Sequence, residues 1–122
     1  MKHYLTLIFV LFAFGLKADE EFTRKIRPFL NTYCISCHGS EKQKGKIRFD
    51  QLTASMSDRK EAELWARMLE AMEFGEMPSD SAKKFPTKAE ARLVQGWISR
   101  ALESQGLAVE EKRGKEGYGN LV

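Results

Sequence analysis

The chain has 122 residues, room for one small domain, and sets 20 Lys and Arg against 17 Asp and Glu for a net charge of +3. Its 43% hydrophobic and 30% charged content with only two cysteines excludes disordered, collagen-like and disulfide-stapled classes. One hydrophobic core is the most that this length supports.

The first eighteen residues read differently from the rest. Lys2 and His3 form a short basic start, Leu5 to Leu16 is almost wholly apolar, and Ala18 precedes Asp19-Glu20-Glu21. This predicts a secretory signal peptide over 1–18, cleaved after Ala18, and a periplasmic or secreted product. The apolar run is broken by Thr6 and Gly15 and closed by Lys17, short of the roughly 20 apolar residues of a membrane span. No stable span is therefore expected after cleavage. Losing 1–18 removes Lys2 and Lys17 and no acid, which leaves 18 basic and 17 acidic residues, a net +1, with His38 as the single histidine. No dense basic stripe with interleaved aromatics remains, which argues against a nucleic-acid partner.

Phe22, Ile26, Phe29, Leu30 and Tyr33 recur at three- and four-residue steps and predict an amphipathic helix over 22–33, with one backbone bond lost and a kink at Pro28. Cys34 to Lys46 is rich in Gly, Ser and charge and reads as loop. Ile47 to Leu52 alternates over a short stretch, as an extended segment or one that wraps a core. Asp58 with Glu61 is an N-terminal capping signal for a second helix, whose Leu64, Trp65, Met68, Leu69 and Met72 form one apolar stripe before Gly75. Glu76 to Pro86 is a loop with two prolines. Thr87 and Glu90 cap a third helix, in which Ala91, Val94, Trp97, Ile98, Ala101 and Leu102 share a face, with Gly106 at its end. The organisation expected is a signal peptide over 1–18, one mainly helical domain over 19–105, and a flexible tail or truncated linker over 106–122, whose charge and glycine give it no packed element of its own.

Cys34-Ile-Ser-Cys37-His38 carries the chemistry. Two cysteines two residues apart and followed at once by histidine bond both vinyl groups of a haem as thioethers, while the histidine meets the iron. Export supplies the compartment in which such haems are attached, a helix delivers the motif, and a methionine stands downstream in a loop. Three other readings compete. A Cys34–Cys37 disulfide suits an oxidising compartment but leaves His38 unexplained. A thioredoxin-like pair wants a βαβ setting that this helical pattern lacks. A zinc site has two cysteines and one histidine and needs a fourth ligand.

Met56, Met68, Met72 and Met77 are the candidate sixth ligands. Met68 and Met72 stand a turn apart on the stripe of the second helix, where core packing is the simpler reading. Met77 follows the helix stop Gly75 and precedes Pro78, in a loop suited to presenting a thioether at a set depth, and is the preferred ligand; an open sixth position is the alternative. Trp65, Trp97, Phe29, Leu69 and Leu102 read as core. Lys42, Lys44, Lys46 and Arg48 make a modest basic cluster, either a solvated loop or a docking patch with Arg48 near a propionate.

Taken together, Ile-Arg-Pro-Phe-Leu before the motif, Cys-Ile-Ser-Cys-His-Gly, Lys44 to Asp50, Trp65 with Leu69, Gly75-Glu76-Met77-Pro78, and Val94 to Ile98 resemble the planctomycete-type cytochrome c family over Phe22 to Leu102. The resemblance implies an all-α fold, class I cytochrome c-like, with three main helices wrapped around one covalently bound haem c. It also implies haem bonded to Cys34 and Cys37, His38 and Met77 as the proximal and distal iron ligands, and electron exchange with redox partner proteins rather than catalysis. Ser79 stands where the family commonly has a second proline. Members of the family usually continue into much longer regions, and Gly117 to Asn120 resembles the start of one. The competing functions are an electron-delivery domain for a separate or once-fused oxidoreductase, and a ligand-binding or peroxidase-like haem site if Met77 is not a ligand. Nothing in the sequence indicates an oligomeric state.

Overall fold

The computed structural model describes residues 17–105. The signal peptide expected over 1–18 falls outside the described residues except for its last two, and the tail expected over 106–122 falls wholly outside them. The described residues form helices joined by irregular segments, with no strand. The chain divides into two compact units, the first ending at Ala54 and the second beginning at Ser55. None of the described helices is long and apolar enough to cross a membrane.

In the first unit, residues 17–21 are α-helical, Phe22–Ile26 is a π-helical turn, and α1 follows at Arg27–Tyr33. Phe22, Ile26, Phe29 and Leu30 are buried, the apolar face that the spacing predicts. Pro28 is accommodated in a way the sequence pattern does not announce. The Arg27 N–H reaches back to the Phe22 carbonyl, so the helix is already widened when Pro28 enters the first turn of α1. Pro28 has no N–H to offer, and its ring disfavours the usual helical packing of the preceding turn; a π turn relieves both.

A 3₁₀ turn at Lys44–Lys46 and an irregular segment over 47–52 complete this unit. Of the two readings open for 47–52, the wrapping one is found: Phe49 and Leu52 are buried, and the only bridge among the described residues joins His38 and Gln43.

In the second unit, α2 runs Arg59–Glu73 and α3 runs Lys88–Ser104. The Asp58 side chain accepts from the Glu61 N–H at 3.0 Å. At the start of α3, Glu90 N–H donates to Thr87 Oγ1 at 3.2 Å and Thr87 N–H donates to Glu90 Oε2 at 2.8 Å, a complete capping box. Ala62, Trp65, Met68 and Leu69 of α2 are buried, as are Val94, Trp97, Ile98 and Leu102 of α3. The two stripes meet at Trp65 and Trp97, whose rings lie edge to face with centroids 5.2 Å apart, a geometry worth about 0.5–1.5 kcal/mol beyond area burial. α2 ends in a Schellman motif: Gly75 at φ +71° donates to the Met72 carbonyl, and the Glu76 N–H donates to that of Ala71 at 2.8 Å.

Candidate functional site

α1 delivers Cys34 directly, because the Cys34 and Ile35 N–H groups both donate to the Leu30 carbonyl, at 2.9 and 3.0 Å. The chain then curls tightly. Cys37 and His38 both donate to the Cys34 carbonyl, at 3.2 and 3.0 Å, so the two cysteines and the histidine occupy one turn. Both cysteines are half-buried and free, not joined to each other. Burial, and after it the charge that Cys37 would carry, push the Cys34 thiol up to about 12. That is the reverse of the lowered thiol of a redox-active Cys-X-X-Cys pair. Among the described residues no three or more His, Cys, Asp and Glu side chains gather as a metal site.

His38 is 7% exposed, the one buried polar side chain among the described residues. Its Nδ1 lies 3.0 Å from the Lys44 carbonyl. A carbonyl only accepts, so Nδ1 carries a proton, and the tautomer this selects has its lone pair on Nε2. Such a bond fixes both tautomer and ring orientation, as the outer partners of metal-bound histidines do. The Lys44 carbonyl is itself held: Lys44 N–H donates to Cys37 at 2.9 Å, Lys46 N–H to Gln43 at 3.0 Å, and the turn closes with Gly45 at φ +64°. Gly39 follows His38 under tight restriction, since a Cβ there would lie 2.6 Å from the Ile35 carbonyl oxygen.

Phe49 is the aromatic neighbour of the histidine. Its ring centroid is 5.0 Å from the imidazole, tilted by 52°, and its N–H donates to the His38 carbonyl at 2.7 Å. Next to it, Arg48 grips the Asp50 carboxylate at 3.0 and 2.5 Å. The Arg48 hydrogen bonds hold the Asp50 carboxyl below the usual carboxylate range, and the same bonds raise the guanidinium. Arg48, offered from the sequence as a propionate contact, thus already has a bidentate partner. Lys42, Lys44 and Lys46 are exposed.

The candidate sixth ligands all lie in the second unit. Met56 and Met68 are buried core residues at 3% and 4% exposure, whereas Met77 is 43% exposed, and Met72 is half-buried. Met77 is set by the end of α2, where its N–H donates to the Ala71 carbonyl at 3.1 Å. Its peptide bond to Pro78 is cis. Phe74 and Phe85 are exposed in the same loop region.

Three contributors carry no signal of their own in the sequence: Arg27, the Lys44 carbonyl and the spatial need for Gly39. Arg27 and Gly39 fall inside the stretches that carry the family resemblance, which is the one cue that marks them.

Residues 34–81 match the family model described as Planctomycete cytochrome C. The match bears out the resemblance seen in the sequence and spans Cys34, Cys37, His38 and Met77. Helices without strands agree with an all-α cytochrome c-like fold. A cytochrome c domain implies haem c with its iron, and haem-based electron transfer. No curated protein and no solved structure matches the chain. The residues fit such a group: two free thiols and a buried imidazole with Nδ1 committed elsewhere are the donor set that a covalently held haem requires.

Proposed function

We propose that the chain is an exported mono-haem c-type cytochrome that passes single electrons, with haem bonded through Cys34 and Cys37 and its iron held between His38 and Met77. The observation that carries this reading is the buried His38, whose Nδ1 is spent on the Lys44 carbonyl and whose Nε2 is thereby left for a metal. Bound there, haem supplies a one-electron ferric/ferrous couple.

The protein's own part is positional. The turn from Cys34 to His38 sets two thiols and one imidazole on five consecutive residues, and the Phe49 ring packs 5.0 Å from the imidazole. Met77 is the assigned sixth ligand because Met56 and Met68 are committed to the core and Met72 stands half-buried one turn from Met68 on α2, whereas Met77, in the loop before Pro78, is the most exposed of the four. A neutral thioether opposite histidine favours ferrous iron and raises the reduction potential. Lys42, Lys44 and Lys46 suit a redox partner with an acidic docking surface, met in the periplasm or outside the cell. No substrate chemistry is assigned to the chain itself.

The test is the visible spectrum of the full chain and of Met77→Ala, each made in a host with haem-attachment machinery. Wild type is expected to keep its haem through denaturation and to show a weak sulfur-to-iron band when oxidised. Met77→Ala is expected to lose that band and to fall in reduction potential by on the order of 0.1 V, within the roughly 0.8 V that axial ligation spans. An unchanged spectrum and potential in the variant would overturn Met77 as the sixth ligand, and a haem-bearing wild type without the sulfur band would put an open, ligand-binding site in its place.

A further inference from the structure

Arg27 reaches away from its helix into the segment that lies against His38. Its Nη1 donates to the carbonyls of Phe49 at 3.5 Å and Asp50 at 3.3 Å, and its Nη2 donates to that of Leu52. The guanidinium also lies over the Phe22 ring, 5.0 Å from its centroid. Three carbonyls of an irregular segment are thus collected by one planar cation, 22 to 25 residues away in sequence. Residues 47–52 have no strand ladder to hold them, so their backbone acceptors need some other partner, and a fork of fixed donors on a half-buried arginine fits that need.

What Arg27 fixes there bears on His38. The Phe49 N–H donates to the His38 carbonyl at 2.7 Å, and the Phe49 ring is the aromatic neighbour of the imidazole. We infer that Arg27 is a positioning residue for His38, acting through the carbonyls of 49–52 to hold Phe49 against the imidazole. The inference deepens the haem reading given above and rests on it.

The Lys44 carbonyl fixes the ring from its Nδ1 edge, and the Arg27–Phe49 link bears on it through the tilted aromatic contact and through the His38 backbone. Because Arg27 sits in α1, the helix that also delivers Cys34, the helix and the ligand's outer wall are held to each other directly. A lysine at position 27 keeps the charge but offers a single rotatable ammonium in place of the fork, and glutamine loses both charge and reach.

The test uses the haem-bearing full chain, wild type and Arg27→Gln, with amide hydrogen exchange read by NMR on the ferrous protein. Covalent haem and His38 ligation are expected to persist in the variant. The Phe49 amide and the His38 Nδ1 proton are expected to exchange at least about tenfold faster, the factor for losing one hydrogen bond to a charged donor. Leu30 in α1 and Ile98 in α3 are expected to change by less than about twofold, since local opening does not require global unfolding. Equal acceleration at Leu30 and Ile98 would make Arg27 a general stability residue and overturn the inference, as would an unchanged Phe49 amide. Should Arg27→Gln not accumulate, Arg27→Lys is read by the same comparison. A wild-type chain without covalent haem defeats the cytochrome reading itself, and this inference with it; a haem-bearing wild type with an unaltered variant defeats the inference alone.

Discussion

Replacing Gly39 by alanine tests whether the haem motif is held as tightly as its geometry implies. A Cβ at this position would meet the Ile35 carbonyl oxygen at 2.6 Å and Ile35 Cγ2 at 2.8 Å. Real Cβ contacts essentially never fall below 3.0 Å and become ordinary only at 3.4 Å, so the oxygen must retreat by about 0.4 Å to be tolerated and about 0.8 Å to be at ease. The oxygen belongs to the backbone of the Cys34–His38 turn, and Ile35 is β-branched and stiff at χ1, so neither contact relaxes by a simple side-chain swing. Overpacking of this kind costs typically about 1–3 kcal/mol. For a domain of this size 1 kcal/mol lowers the melting temperature by about 4–8 °C, so a cost of about 2 kcal/mol is expected to lower it by roughly 8–16 °C. The displacement falls within the Cys34–His38 turn and is also expected to alter the visible spectrum through the imidazole.

Gly75→Ala is the matched control. It has φ +71° but no atom within 4 Å of a Cβ, so only the left-handed backbone penalty of about 1–2 kcal/mol applies. The assay is thermal unfolding of the haem-bearing chain by circular dichroism, with the spectrum recorded alongside. A Gly39→Ala protein that melts within 3 °C of wild type with an unchanged spectrum would refute the packing argument, 3 °C being about the shift for half a kcal/mol.

Two further outcomes follow from the same structure. Asp50→Asn is expected to reduce the pH dependence of stability: Arg48 holds the Asp50 carboxyl below its usual range, so the stabilisation is present above its unfolded pKa and is lost as pH falls below about 4. Urea midpoints of wild type and variant are expected to differ near neutral pH and to converge in acid; a difference that persists unchanged at pH 2–3 contradicts the assignment. Thr87→Ala removes the acceptor for the Glu90 N–H and is expected to cost about 1 kcal/mol, read as a lower urea midpoint with an unaltered visible spectrum, whereas a shifted spectrum would show that the cap does more than start α3.

The helices were readable in the sequence because their signals are local. Asp58 and Thr87 announce α2 and α3 three residues ahead of their partners, and Trp65, Leu69, Val94, Ile98 and Leu102 repeat at the period of a helix face, so each element is specified within a few residues of itself. The Cys34, Cys37 and His38 motif is legible for the same reason: its three side chains lie within five positions. Pro28 was legible as a disturbance of the first helix, but the π turn that absorbs it was not, since the Arg27-to-Phe22 bond is one of several ways to satisfy the same backbone. Met77 stood out from Met68 and Met72 by its Gly–Pro setting; it is exposed, Met68 is buried and Met72 is half-buried.

By itself, then, the sequence determined the all-α character, the capped helices and the apolar faces, and it set Cys34, Cys37 and His38 within one turn, all of which depend on residue type and short spacing. Tertiary structure alone decided that Nδ1 of His38 meets the Lys44 carbonyl, that Arg27 gathers the carbonyls of 49–52, and that Gly39 has no room for a methyl group. In each case the partner or obstacle is a backbone oxygen. Every residue carries one, so no side-chain pattern marks which of them the fold will bring to the site.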